Sequence, residues 1–348
     1  MDKEAINQQV EFAEDVSKPK PLRHAGDVSL VDENGQVRRI PIPSADPNDP
    51  LNFNKWRKLG IIICCCWFSV FSLVLVGGLG PIIPVFLRLY APEGYAVAEI
   101  INLTTYPSLV MACGAFIILP LAMMYGRRPT FLGCCLLLLG STIGAAVSDG
   151  FESHMACRIL QGLATGATES VLPLIITDIS FLDERGLWFG VYWGTQNLIN
   201  AVFTILISYL VAASSWRWFY WTFAILCGFG MILAFFSLPE TRYQRSSMSL
   251  NGQVIHTDEF GVTQVLSDAE AFSRLGTREE TGDTAVPQQR SYISHLKPYH
   301  GAAPNALKLG LGAIWKMMQS LTSPAVVWAI LACSISLGKI KAHHQPKG

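Results

Sequence analysis

The chain has 348 residues and a formal net charge of +0; 51% of its residues are apolar, only 15% are charged, and the mean hydropathy is +0.34. A water-soluble fold usually carries about 25% charged residues, whereas here the charges crowd into the N-terminal tail and residues 239–316 and nearly vanish between them. That segregation fits a chain divided between water and lipid, and the lack of a basic excess excludes a nucleic-acid binder, which must neutralise phosphates.

Residues 1–54 are polar and read as a disordered tail, with no apolar stretch of the kind that opens a signal peptide. Six runs nearly free of Asp, Glu, Lys and Arg follow: Leu59–Leu87, Ile100–Gly126, Pro129–Ser148, Ile159–Thr177 (interrupted only by Glu169), Gly186–Trp216 and Trp218–Pro239. Each reaches the roughly 20 residues a helix needs to cross a hydrocarbon core of about 30 Å. Backbone donors and acceptors must be paired inside lipid, and no period-two alternation marks a barrel, so the runs are predicted to be helices. The expected fold is therefore an all-α membrane protein, a six-helix transmembrane bundle over residues 55–239. Residues 240–316 read as a long, polar cytoplasmic loop, mostly disordered, with a short helix expected around Asp268–Arg274. Residues 317–348 read as a partial seventh helix: Pro324–Leu337 is apolar, and the polar tail Gly338–Gly348 cuts it off.

Lysine and arginine near the run ends set the orientation. With the N-terminus in the cytoplasm, Lys55, Arg57, Lys58, Arg127, Arg128, Arg185, Arg242 and Arg245 lie inside, against Arg88, Arg158 and Arg217 outside. Trp216, Trp218, Tyr220 and Trp221 then fit an aromatic belt at the outer interface. The nine cysteines lie inside or at the ends of apolar runs, in no metal or disulfide spacing, and read as small packing residues. With no metal-ligand cluster, nucleotide cradle or nucleophile elbow, neither a cofactor nor enzymatic activity is expected.

An ionisable group inside a membrane is costly and so is a functional candidate. Arg158 and Glu169 share the fourth run. Eleven residues apart, they lie about 16 Å apart along a helix and close to three full turns, hence on nearly one face. With Arg158 near the outer mouth, Glu169 falls near the midplane, the usual depth of transporter sites. A carboxylate there can hold a cationic solute or take a proton; the alternative is a Glu hydrogen-bonded to neighbouring helices, and for Arg158 a side chain snorkelling to the interface. On the fifth run Gln196, Asn197 and Asn200 suggest a wet face able to bind solute hydroxyl or amine groups, or else helix–helix hydrogen bonds. Tyr192 and Trp193, one turn earlier, can add an aromatic wall suited to a cation. The sequence Gly77-Gly78-Leu79-Gly80-Pro81-Ile82-Ile83-Pro84 permits either a moving gate or close packing.

Several segments, in order, resemble the N-terminal half of fungal major facilitator superfamily transporters. Asp46-Pro47-Asn48-Asp49-Pro50-Leu51-Asn52-Phe53, followed by Trp56-Arg57-Lys58, is similar to the leading segment of such members. Tyr125-Gly126-Arg127-Arg128-Pro129 resembles the end of the cytoplasmic loop motif, and Arg158-Ile159-Leu160-Gln161-Gly162 resembles the R-x-x-Q-G motif. Asp183-Glu184-Arg185-Gly186 and Pro239-Glu240-Thr241 resemble the turns that open the fifth helix and close the sixth. The resemblance implies twelve helices in two halves, a solute site between the halves, substrate or proton coupling at Arg158, and a gating motif through Gly126, Arg127, Arg128 and Arg185. Gly166-Ala167-Thr168-Glu169-Ser170 looks most like members grouped with polyamine and other cation transporters. Two departures stand out. Met123 and Leu119 replace the motif's acidic residue and glycine, and Gly194 is not followed by the antiporter pattern, so drug efflux by antiport is not supported.

The expected function is secondary transport of a small organic solute by alternating access, with proton coupling and a cationic solute both open. The expected partners are the lipid bilayer and the missing half or a second copy of this chain, in the plasma membrane rather than the vacuole. The resemblance covers only one half of the family's length. An incomplete reading of the gene, a non-transporting membrane fragment with at most a regulatory role, and a pairing of two copies all remain open.

Overall fold

The computed structural model describes residues 46–243, 248–250, 253–257, 263–267, 296–297, 299, 301–303 and 305–332. The described helices belong to one compact unit and three short strands to another. The helical unit runs α1 (Lys55–Gly77), α2 (Ile83–Tyr90), α3 (Val97–Tyr125), α4 (Arg127–Val147), α5 (Phe151–Glu169), α6 (Val171–Ile179), α7 (Leu182–Ala213), α8 (Trp216–Ser237) and α9 (Ala306–Ser320), with a last helical stretch at 324–332.

Six segments are long and apolar enough to cross a membrane: Lys55–Glu93 (α1 and α2), Val97–Tyr125, Arg127–Val147, Phe151–Ile179 (α5 and α6), Leu182–Val211 and Trp216–Ser237. The fourth span begins at Phe151, eight residues before the start read from the sequence. A run cut at Arg158 starts too late, because the helix carries that arginine into the protein interior rather than out of it.

Two spans are broken, and each break has a local cause. The first turns through a 3₁₀ segment, Gly80–Ile82, between α1 and α2, where Pro81 and Pro84 each lack a backbone donor. The fourth breaks at Ser170, whose φ of −122° and ψ of −70° leave the helical region. Pro173 sits four residues beyond Glu169 and has no N–H to return to its carbonyl.

Helices α3 and α5 approach through glycine. A Cβ on Gly162 would overlap the backbone at Pro107, one on Gly166 the backbone at Gly114 and Ala115, and one on Gly114 that of Leu163. Such contact is how membrane helices gain van der Waals attraction where no hydrophobic effect drives association. Aromatic side chains fill the rest of the interior, Phe68 meeting Phe131 edge-on at 4.9 Å and Phe71 meeting Phe203 at 5.3 Å. The opposite faces of α3 and α7 stay open: Leu109 and Ile117 on one, Leu198, Ile205 and Tyr209 on the other, are more than half exposed.

The segment expected to be mostly irregular carries more structure than its polarity suggested. In the second unit β1 (Met248–Leu250), β2 (Gln253–Thr257) and β3 (Thr263–Ser267) form an antiparallel sheet in that order, pairing Ser249 with Val254 and Ile255 with Val265. Val254, Ile255, Thr257, Thr263 and Val265 are β-branched, and Asn251-Gly252 between β1 and β2 is a strong hairpin signal. In the helical unit α9 buries Gly310 and Ala313, and a Cβ on Gly310 would overlap the Met124 side chain. The helix expected around Asp268–Arg274, the tail before Asp46 and residues 333–348 lie outside the described residues.

Candidate functional site

At the turn between α3 and α4, Gly126 has φ +112° and ψ 157°, a conformation that side chains resist, and a Cβ there would strike the Glu240 carboxylate. The absent side chain lets Glu240 reach the first amides of α4. Its Oε1 accepts from Arg127 N at 3.0 Å and its Oε2 from Arg128 N at 3.3 Å, a carboxylate against a helix N-terminus. The same Oε1 accepts from Arg242 N at 2.9 Å.

Arg127 Nε pairs with Asp178 Oδ2 at 3.1 Å, both side chains nearly enclosed, and Thr241 donates to that same oxygen at 3.1 Å. The Arg128 guanidinium donates to the carbonyls of Leu238, Phe235 (2.8 Å) and Leu296 (3.1 Å). Arg242 donates to Met124 O at 3.1 Å and Gly301 O at 2.9 Å. The closing residues of the second, fourth and sixth spans and the opening residues of the third are thus tied at one end of the bundle. Of the gating residues, Gly126, Arg127 and Arg128 meet here; Arg185 instead reaches the Thr177 carbonyl at 3.5 Å, from α7 to α6. Asp178 escaped the sequence reading because the fourth run was closed at Thr177, one residue short of it.

Arg158 is wholly enclosed, which rules out a snorkelling side chain. Nη1 donates to Leu75 O at 2.7 Å and Gln161 Oε1 at 2.9 Å, Nη2 to Val76 O at 2.8 Å, and Nε to Leu103 O at 3.1 Å. The chain frees these carbonyls locally. Leu75 and Val76 lie in the last turn of α1, where carbonyls run out of intrahelical donors. Leu103 sits four residues before Pro107, inside α3, which offers it no N–H. The Gly-Pro break and an in-helix proline, each explicable as mere packing, together build a socket for one guanidinium.

One turn earlier His154 is equally enclosed. Its Nδ1 lies 3.1 Å from the Tyr90 hydroxyl and its Nε2 2.7 Å from that of Tyr220, while Phe86 and Trp216 cover the ring. This clasp joins α2, α5 and α8. Cutting the fourth run at Arg158 had left His154 in a loop. Trp216 and Tyr220 therefore belong to the core, and only Trp218 and Trp221 of the expected aromatic belt are exposed.

Glu169 ends α5 and is exposed, its carboxylate beside the Gln196 side chain. Arg158 and Glu169 share one helix, as expected, yet α1 and α3 cover the first and leave the second open. Next to Glu169 runs a polar seam of α1, α5 and α7. Ser69 donates to Gln196 Oε1 at 2.7 Å, the Ser72 and Thr168 hydroxyls lie 3.0 Å apart, and Tyr192 donates to Thr168 O at 2.9 Å. Gln196 alone of the three amides joins this seam through its side chain. Asn197 is exposed and bonds back to Trp193 O at 2.8 Å, and the half-buried Asn200 accepts from Thr204 through its carbonyl. Tyr192 is buried and Trp193 exposed, and their rings meet edge-on at 5.3 Å. Among the described residues no group of three or more His, Cys, Asp or Glu is placed to hold a metal ion.

Six apolar spans wrapped around an enclosed arginine and a polar seam define an integral, multi-pass, helical membrane protein. The sequence matches the family model of the Major Facilitator Superfamily over residues 59–338, and the chain belongs to that superfamily. It is 25% identical over 252 residues to an uncharacterised MFS-type transporter of Schizosaccharomyces pombe, covering 70% of this chain and 43% of that one. It is 25% identical over 293 residues to Protein HOL1 of Saccharomyces cerevisiae, covering 75% and 49%. The solved proton:xylose symporter XylE matches at 13% identity with a TM-score of 0.47, over 55% of this chain and 46% of that one. The chain spans about half the length of the curated relatives it matches.

Proposed function

We propose that the chain supplies one half of a secondary transporter that carries a small organic solute by alternating access, with the seam of α1, α5 and α7 facing the solute path. The observation that carries this reading is Glu169, an exposed carboxylate well inside the fourth span, whose other exposed side chains beyond the first turn, Ala156 and Leu160, are apolar. An ionised carboxylate facing lipid costs roughly 3 kcal/mol or more, so a water-filled path or a partner surface is its reasonable neighbour. There it holds a cationic solute or exchanges a proton, with Gln196 beside it as the neutral hydrogen-bonding partner.

Arg158 adds a fixed positive charge behind that surface, and the Glu240 and Asp178 network keeps the bundle rigid as it rocks. The N-terminus lies in the cytoplasm, and the plasma membrane is the site of action. The test is uptake of a panel of labelled organic cations, amines included, in cells expressing the chain, with external acidification and alkalinisation as arms. Wild type is expected to take up at least one cation and Glu169→Gln to lose that uptake at least tenfold at equal surface expression. Uptake no better than in vector controls would sink transport by this chain and leave a non-transporting membrane protein.

A further inference from the structure

Helix α9 packs beside the end of α3, and just ahead of it Ala303 N donates to Met124 O at 2.8 Å. At about 100° per residue the helix divides into three sectors. Small residues face the protein: Gly310 and Ala313 are buried, with Gly310 against the Met124 side chain. The next sector holds large apolar side chains, all exposed: Leu307, Leu311, Ile314, Trp315 and Met318, which recur at the spacing of one helical stripe. Lys308, Gly312, Lys316 and Gln319 make up the third sector. A helix that sets its small residues against the protein and turns its large apolar ones away has room for a second apolar neighbour.

Charge selects that neighbour. The whole chain balances 26 basic against 26 acidic residues, yet residues 284–348 contain seven lysines and arginines and not one aspartate or glutamate. Cations beside an apolar stripe match the headgroup layer of an anionic leaflet. Lys308 and Trp315 are seven residues apart, close to two turns, so they share the edge where the apolar sector meets the polar one. An indole and an ammonium occupy that edge when a helix lies in the interface plane. Lys316 stands further round and is already engaged within the protein, so the headgroup contact falls to Lys308. The surroundings agree. Leu121 and Tyr125, in the last turns of α3, are exposed, and so are Val327, Trp328, Ile330 and Leu331 in the helical stretch that follows α9.

We propose that α9 lies in the plane of the membrane surface and binds an anionic leaflet, its stripe from Leu307 to Met318 among the acyl chains and Lys308 at the headgroup phosphates. That this leaflet is the cytoplasmic one rests on the orientation proposed above; the solute and its coupling do not enter. Gly310 holds α9 to Met124, whose carbonyl also receives Arg242 from beyond the sixth span. The leaflet thereby gains a hold on the end of the bundle.

The test uses the full chain in nanodiscs of mixed phosphatidylcholine and phosphatidylserine, with the photo-crosslinking amino acid p-benzoylphenylalanine placed at Leu311, Trp315 or Gln319 in turn. Mass spectrometry after irradiation reads what each position touches. Leu311 and Trp315, in the stripe, are expected to yield phospholipid adducts several times as often as Gln319, on the polar sector. At Trp315 the adducts are expected to exceed phosphatidylserine's share of the disc. Lys308→Gln is expected to cut that preference about fivefold, the worth of one lysine at an anionic surface, and to leave melting unchanged. The unsubstituted chain supplies a second measurement: exchange of the Ala306–Ser320 amides is expected to be slower in the mixed discs than in phosphatidylcholine alone. Stripe adducts no more frequent than those at Gln319, or equal amide exchange in the two discs, overturn the proposal. Adducts to a second copy of the chain at Leu311 and Trp315 overturn it in favour of a dimer contact. A phosphatidylserine preference that survives Lys308→Gln overturns the role of that lysine.

Discussion

Arg127 and Arg158 are both enclosed arginines of the helical bundle, yet the protein treats their charges differently. Arg127 meets a carboxylate, Asp178, at 3.1 Å, so its charge is spent on joining two spans. Arg158 meets three backbone carbonyls and one amide, and among the described residues no carboxylate is recorded as its salt-bridge partner. Carbonyl dipoles satisfy the donors of a guanidinium without neutralising it. One end of the bundle is therefore fastened by a matched, enclosed ion pair, while the Arg158 socket stores a positive charge in the interior.

Removing Arg158 is the severest way to break this comparison. Arg158→Leu leaves the carbonyls of Leu75, Val76 and Leu103 buried without a donor, and we expect a loss of about 3–5 kcal/mol of stability, read as thermal melting in detergent. A variant that melts like wild type would show that the socket is not structural. Arg158→Lys is expected to recover part of the loss, since an ammonium cannot span three acceptors set for a planar fork.

Asp178→Asn keeps an acceptor for Arg127 and Thr241 but removes the counter-charge, with an expected cost of about 2 kcal/mol. A double-mutant cycle with Arg127→Gln should give a coupling of about 1–3 kcal/mol; no coupling would mean that the pair is incidental. Gly126→Ala comes next. The positive φ and the displaced Glu240 carboxylate together should cost about 1–3 kcal/mol, and hydrogen exchange of the first α4 amides should rise. Asn197→Ala is the smallest, within about 0.5 kcal/mol in melting and with no change in any uptake that Glu169→Gln abolishes. A strong uptake defect there would show that the exposed amide face is used after all.

The spans were legible because lipid imposes one rule on every residue of a run. Charge-free length identified six helices, and the order of short motifs along them matched the family. Two of the charged residues used as cut points, Arg158 and Asp178, are ones the fold buries, so the fourth run was drawn short at both ends and His154 fell outside the helix that encloses it. Partners at long sequence distance were illegible for a different reason. Nothing in the sequence around Asp178 signals Arg127 and Thr241, and nothing around His154 signals Tyr90 and Tyr220, since only packing brings those spans together. In residues 240–316, read as a mostly irregular loop with room for short helices, α9 begins and the three strands went unread, because low hydrophobicity is an average that hides short local patterns such as Asn251-Gly252.

The Arg158 socket has a consequence for how the sequence can drift. Its acceptors are main-chain atoms, so Leu75, Val76 and Leu103 can exchange one apolar side chain for another and still present the same oxygens. The constraint moves to residues that never touch the arginine: Pro107 and the Gly78–Pro81 break, whose missing donors and loose backbone keep those oxygens idle. Returning an N–H at position 107 would hand the Leu103 carbonyl back to its own helix. In this bundle the residues that hold the buried charge are silent to substitution, and the residues that only make room for it carry its inheritance.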